Sequence, residues 1–190
     1  MKKKFECVQG CSDCCIYRDY YPSIEYGKIG VLVLPEEKAA IERLAKKMHL
    51  RVRIIPRLAV GKVSPEKIIA YQMMGKNEDG NLCPFLDTES NERSGHGGFK
   101  CKIYSERPLA CRAYPVIDST YKTATFDSHC QFCKKFSTTE ASTQGLQHEI
   151  EALARIKATV TADNGVSIWR YATATGESNQ LLPEGWVLDH

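Results

Sequence analysis

The sequence predicts an α+β fold: one compact domain over residues 1–190, with short strands, two longer helices and cysteine-bearing loops. Three observations lead there. Stretches with helical spacing and stretches rich in β-branched residues follow one another without regular strand–helix–strand alternation. The length of 190 residues is that of a single domain. The densest cysteine group, four within residues 5–15, stands among Gly10, Ser12 and Asp13, which favour a tight loop over a helix. The motif-bearing core is expected at about 5–135, with 136–190 a helix and a tail packing on it.

Taken in order, Gly27–Leu34 reads as an apolar strand with Ile29–Leu34 as its core. Residues 35–48 form the clearest helix. Pro35 opens it, Glu36 and Glu37 fill its first turn, and Lys46 and Lys47 fill its last. Ala40, Ile41, Leu44, Ala45 and Met48 follow helical spacing, and the charged positions between them form a solvated face. Arg51–Val60 is aliphatic, with Pro56 interrupting it, and Ile68–Met74 reads as strand or short helix. The turn signal at 77–81 would let Ile68–Met74 pair with Leu82–Leu86 as a hairpin. Residues 88–99 are a polar, glycine-rich loop. Pro108 opens a helical turn that Pro115 ends, and Lys122–Phe126 reads as a strand. Thr138–Thr159 reads as the second long helix, with Leu146, Ile150, Leu153, Ala154 and Ile156 on its buried side. The tail from Ser167 adds a strand near Ile168–Tyr171.

The chain is 43% hydrophobic and 26% charged, ordinary for a globular protein, and a chain of this length needs no disulfides to bury a core. Its formal charge of +3 counts thiols as neutral. Two divalent four-thiolate sites would bring it to about −1, so the charge gives no reason to expect nucleic acid as a partner. The longest short apolar run, Val31–Leu34, stops at Pro35, and no membrane partner is expected. Met1-Lys2-Lys3-Lys4 is followed by Phe5-Glu6-Cys7 rather than by the apolar stretch of a signal peptide. The expected compartment is cytoplasmic, where cysteines serve metals or catalysis more often than cross-links, and nine is an odd number for complete pairing.

The cysteines fall into three groups. Cys7-x3-Cys11-x2-Cys14-Cys15 comes first, Cys83, Cys101 and Cys111 stand singly, and Cys130-x2-Cys133 closes the set. A C-x2-C spacing turns two thiolates inward onto one metal. Buried free cysteines on apolar faces are the alternative, which the polar neighbours speak against. Cys14 and Cys15 would point to opposite sides of an extended backbone, one toward a site and the other to a second site or to none. All nine are candidate ligands, and eight would suffice for two four-coordinate sites.

Cys7…Cys11-Ser12-Asp13-Cys14-Cys15, Gly80-Asn81-Leu82-Cys83-Pro84-Phe85-Leu86-Asp87 and Cys101-Lys102-Ile103-Tyr104-Ser105-Glu106-Arg107-Pro108-Leu109-Ala110-Cys111-Arg112-Ala113-Tyr114-Pro115 resemble the YkgJ-type cysteine-cluster family over roughly residues 5–135. That family is described as a zinc- or iron-chelating domain. The resemblance implies that Cys7, Cys11, Cys14, Cys15, Cys83, Cys101 and Cys111 match its metal-binding positions. A longer relative, the flagellin lysine methylase, carries a similar cluster linked to iron–sulfur-dependent methyl transfer. The stretch between Cys83 and Cys101 is longer here than the short turn usual in the family.

Thiolate ligation suits both zinc and iron–sulfur clusters. The C-x3-C-x2-C spacing is the one radical S-adenosylmethionine enzymes use for a 4Fe-4S cluster, but this chain lacks the length and alternation of their barrel. An iron–sulfur cluster is the expected cofactor, ahead of zinc. Arg107 and Arg112 flank Cys111 and are candidates to contact cluster sulfurs or an anionic substrate, against ordinary surface ion pairing. Tyr104 and Tyr114 are expected in the core, and His129 and His96 are lesser ligand candidates. No Ser-His-Asp set, phosphate loop or dinucleotide fingerprint is present. Three classes stay open: a metal or cluster protein in redox or metal handling, a cluster-dependent enzyme such as a methyl transferase, and a structural zinc module binding a macromolecular partner such as a protein.

Overall fold

The computed structural model describes residues 3–16, 30–75, 82–160, 166–171 and 185–188. The fold is α+β, with helices and several antiparallel sheets. Among the described residues no helix is long and apolar enough to cross a membrane. The chain divides into two compact units, each assembled from two stretches. Met1–Tyr17 joins Phe85–Ile156 in the first, and Arg18–Pro84 joins Lys157–His190 in the second.

The second unit is a five-stranded antiparallel sheet. Its strands are β1 (Gly30–Val33), β2 (Ile54–Gly61), β3 (Lys67–Met74), β9 (Ser167–Tyr171) and β10 (Trp186–Leu188), ordered β1-β3-β2-β9-β10. The first strand begins at Gly30 among the described residues, and residues 27–29 lie outside them. Helix α2 (Pro35–Lys47) follows at once and packs against β3. Its start is fixed by Pro35 and by the Glu37 carboxylate, which accepts the Leu34 N–H at 2.9 Å. Ile41 and Ala45 are its buried positions.

Two expectations are corrected here. Ile68–Met74 is a strand, but it pairs with β1 and β2 and not with Leu82–Leu86. Both its edges are already taken, and the turn expected at 77–81 lies outside the described residues. Pro56 does not end its strand. It lies opposite Tyr71, before the point at Leu58 where β9 joins the other side of β2. Its missing N–H therefore falls where the described ladder has one neighbour only, and the register shifts just beyond it.

The first unit uses short elements: α1 (Asp13–Ile16), β4 (Leu86–Asp87), β5 (Lys100–Cys101), a 3₁₀ turn (Tyr104–Glu106), α3 (Leu109–Ala113), β6 (Val116–Ser119), β7 (Thr123–Phe126), α4 (Gln131–Phe136) and β8 (Glu140–Ser142). Strands β6, β7 and β8 form one antiparallel sheet. Helix α5 (Gln147–Val160) is shorter than the helix expected from Thr138. Residues 140–142 pair with β7 instead, and Gly145, at φ +81°, separates that strand from the helix. Its buried alanine is Ala152, while Ala154 is exposed. The core of this unit gathers Val116, Ala124, Phe126, Phe132, Ala141 and Leu146, with Ile150 and Leu153 packed against them.

Candidate metal centre

The N-terminal cysteines are positioned by one aromatic anchor. Phe5 stands edge-on to Phe126 at 5.0 Å and contacts Phe132 at 5.3 Å. Beside it, the Ser142 N–H donates to the Lys3 carbonyl. Two residues beyond this anchor comes Cys7, and Phe132 lies between Cys130 and Cys133. The anchor therefore brings the first cysteine group to the last, and Gln131 donates to the Asp13 carboxylate across the same junction.

The loop closes in one helical turn, α1, where the sequence predicts none. Ser12 starts it, its carbonyl accepting the Cys15 N–H at 2.8 Å. This overturns the extended-backbone picture of Cys14 and Cys15. Successive helical side chains are about 100° apart, and the two sulfurs stand 3.9 Å from each other.

Electrostatics reports which thiols share a neighbourhood. Burial, followed by the charges of Cys11, Cys14 and Cys130, pushes the Cys7 thiol from an ordinary 9.0 up to about 11. Burial raises Cys11 against a hydrogen bond from the Asp13 backbone, and the charges of Asp13 and Cys14 add to the rise. Cys130 is raised by burial and then by Cys11 and Cys14. Cys101 is raised by burial and then by Cys111 and Cys14, with the Arg107 guanidinium pulling the other way. Cys14 is thus common to two sets, one with Cys7, Cys11 and Cys130, the other with Cys101 and Cys111. The second set forms because Cys101 lies on β5 opposite Leu86, while the turn through Pro108 brings back Cys111, whose N–H donates to the Pro108 carbonyl at 2.9 Å.

Among the described residues no group of three or more His, Cys, Asp or Glu side chains is arranged to hold a metal ion. The donor chemistry nevertheless fits a soft cation. Thiols gathered from separate segments are donors that a zinc or iron centre would bind as thiolates.

Several expected residues have settings that the sequence did not show. Cys130 and Cys133 are 8% and 5% exposed and belong to the aromatic cluster, although the polar neighbours argued against any apolar setting. The Cys133 thiol donates to the Asp127 carbonyl, and burial, then Cys130, pushes it up to about 11. Cys83 lies at the end of the second unit's first stretch. Tyr104 is 63% exposed rather than in the core, with the Arg107 guanidinium 3.8 Å from its ring centre, whereas Tyr114 does pack on the cluster. Arg107 Nε donates to the Tyr104 carbonyl, and Arg112 donates to the carbonyls of Arg107 and Ser105. Arg112 thus braces the turn ahead of Cys111 rather than forming a surface ion pair. His129 is exposed and bonded to Asp127.

Sequence reasoning missed Ser12 and the loop 94–99. Ser12 is 7% exposed, and its hydroxyl accepts the Phe99 N–H at 2.7 Å. His96 Nε2 lies 2.9 Å from the Cys11 carbonyl, and the Gly10 N–H donates to the His96 carbonyl. The Gly97-Gly98 pair was the available signal, since paired glycines mark a close backbone approach.

The model of the CxxCxxCC family, described as "Putative zinc- or iron-chelating domain", matches residues 6–134. No curated protein and no solved structure matches the chain.

Proposed function

Because the chain belongs to the CxxCxxCC family of zinc- or iron-chelating domains, we propose that the thiols around Cys14 are its metal centre, serving redox or metal handling. Cys7, Cys11, Cys14 and Cys130 form the principal ligand set, with Cys101 and Cys111 beside it. The observation that carries this reading is electrostatic influence between thiols over a hundred residues apart in sequence: Cys130 acts on Cys7, and Cys11 and Cys14 act on Cys130. The bound group is an iron–sulfur cluster, which supplies one-electron chemistry. Zinc is the second reading, favoured by the same donors and the family description. The residues' own tasks are separable. Phe5 and the aromatic cluster fix the spacing of the two cysteine groups. Arg107 sets a positive charge near Cys101 and favours its thiolate. Arg112 holds the turn that carries Cys111. Cys133, hydrogen-bonded inside the core, is left as a packing residue.

The test is anaerobic purification with iron, acid-labile sulfide and zinc counted per chain, beside a visible spectrum. Brown protein with iron and sulfide is expected; colourless protein with stoichiometric zinc selects the second reading, and neither metal sinks both. Single Cys→Ser variants should lose metal at Cys7, Cys11, Cys14, Cys101, Cys111 and Cys130, whereas Cys133→Ala retains it.

A further inference from the structure

The long stretch between Cys83 and Cys101 is spent on the N-terminal cysteine loop. Four contacts join them within the first unit. The Gly10 N–H donates to the His96 carbonyl at 2.6 Å, and His96 Nε2 donates to the Cys11 carbonyl at 2.9 Å. The Phe99 N–H donates to the buried Ser12 hydroxyl at 2.7 Å. At Gly98 the two backbones touch: a Cβ there would stand 2.1 Å from the Cys11 carbonyl oxygen and 2.6 Å from Ser12 Oγ. The neighbouring loop is itself braced. The Ser94 N–H and hydroxyl both donate to the Gly98 carbonyl, and Gly97 N–H donates to the Ser94 carbonyl.

These contacts fall on Gly10, Cys11 and Ser12, the residues that aim the thiols of Cys11 and Cys14. They reach the backbone rather than the sulfurs, so they constrain the ligands without competing for the metal. An unbraced loop of this length loses conformational freedom on ligation. A loop already held spends less of the binding free energy on ordering, as in other outer-layer partners of metal ligands.

We propose that residues 94–99 are a positioning clamp that pre-organises the Cys7–Cys14 loop for its metal, with Gly98 and His96 as the determining residues. The proposal rests on the chelation reading above. The test compares five metal-free, reduced proteins: the parent, Gly95→Ala, Gly98→Ala, His96→Ala and His96→Gln. Zinc alone is titrated against a chromophoric chelator, and amide exchange is followed over residues 8–12 and over β6–β8. Gly95 is the internal control, since a Cβ there meets nothing within 4 Å. Gly98→Ala is expected to weaken zinc binding about 10–100-fold and to speed exchange at 8–12. Gly95→Ala should behave as the parent, and β6–β8 should keep its protection. His96→Gln, which retains a donor, should recover part of what His96→Ala loses. Parent-like zinc affinity in both Gly98→Ala and His96→Ala overturns the clamp alone. If Gly98→Ala loses protection in β6–β8, the His96 pair decides, and parent-like affinity in His96→Ala overturns the proposal. A parent that binds no zinc or iron overturns the chelation reading, and the clamp's role with it.

Discussion

The two units of this chain divide their resources in opposite ways. The second has a five-stranded sheet, with two strands of eight residues, and one cysteine, Cys83. The first has strands of two to four residues and the other eight cysteines. Short strands are marginal by themselves, so the first unit leans on its aromatic cluster and on whatever its thiols hold. The second stands on periodic burial, with Val31, Val33, Ile41 and Met73 among its buried residues. On the proposed reading, the comparison assigns metal dependence to the first unit.

The strongest way to break that comparison is to remove the metal. Chelation should lower amide protection in residues 5–15 and 101–133 by on the order of 10³-fold, because ligation free energy there becomes folding free energy. Protection in β1, β2 and β3 should be unchanged. Equal losses in both units, read by hydrogen exchange mass spectrometry, would show that the division is false.

Core truncation sharpens the same contrast. Phe126→Ala removes a ring that touches both Phe5 and Phe132 and should cost about 3–5 kcal/mol. It should also reduce metal content, since Phe5 loses its seat. Met73→Ala in the second unit should cost about 2–5 kcal/mol with metal content intact. Denaturant melts with metal assays on the same samples check the pair.

These two predictions also mark what the sequence made legible. Helix 35–48 and the strand at Ile68–Met74 were readable because local spacing and burial agree there. The strand at 140–142 was hidden in a helical stretch, because its pairing with β7 is non-local. The site divides similarly. The candidate ligands were visible as spacings, but the packing of the N-terminal cysteine segment on the cluster that holds Cys130 depends on Phe5, one apolar residue in a charged segment. The turn α1 reversed the expectation for Cys14 and Cys15, because four residues carry too little periodicity to be read. The apolar setting of Cys130 and Cys133 was not legible, because their sequence neighbours are polar while their spatial neighbours include phenylalanines.

A smaller effect concerns pH. The thiols of Cys7 and Cys133 have proton affinities raised to about 11 in the folded chain. Such groups stabilise the metal-free fold below the ordinary thiol value of 9.0, and that contribution is lost as pH rises through about 11. The thermal midpoint of the metal-free chain should therefore decline across this window, and less so in Cys133→Ala. A profile identical in the two proteins would remove Cys133 from the account. With metal present the sign inverts toward acid, because protons compete for the ligand thiols and affinity falls as pH drops.

The smallest effect belongs to the second unit's surface. Lys38 and Glu42 pair at 2.6 Å one turn apart on α2. Glu42→Ala should cost only about 0.3–0.5 kcal/mol, with no change in metal content. A larger loss in a denaturant melt would mean that this helix carries more of the unit than its buried face indicates.

The order of the strands has a consequence for synthesis. The edge of β2 at Leu58–Gly61 is closed by β9, which begins about a hundred residues later in the chain. At ~5–20 residues per second, a ribosome needs on the order of 5–20 s to deliver that partner. Throughout this interval an aliphatic edge stands open while the cysteine-bearing stretch is being made. The nascent chain is thus open to mispairing at that edge while Cys83 to Cys133 are being made, and the edge closes only once β9 has emerged.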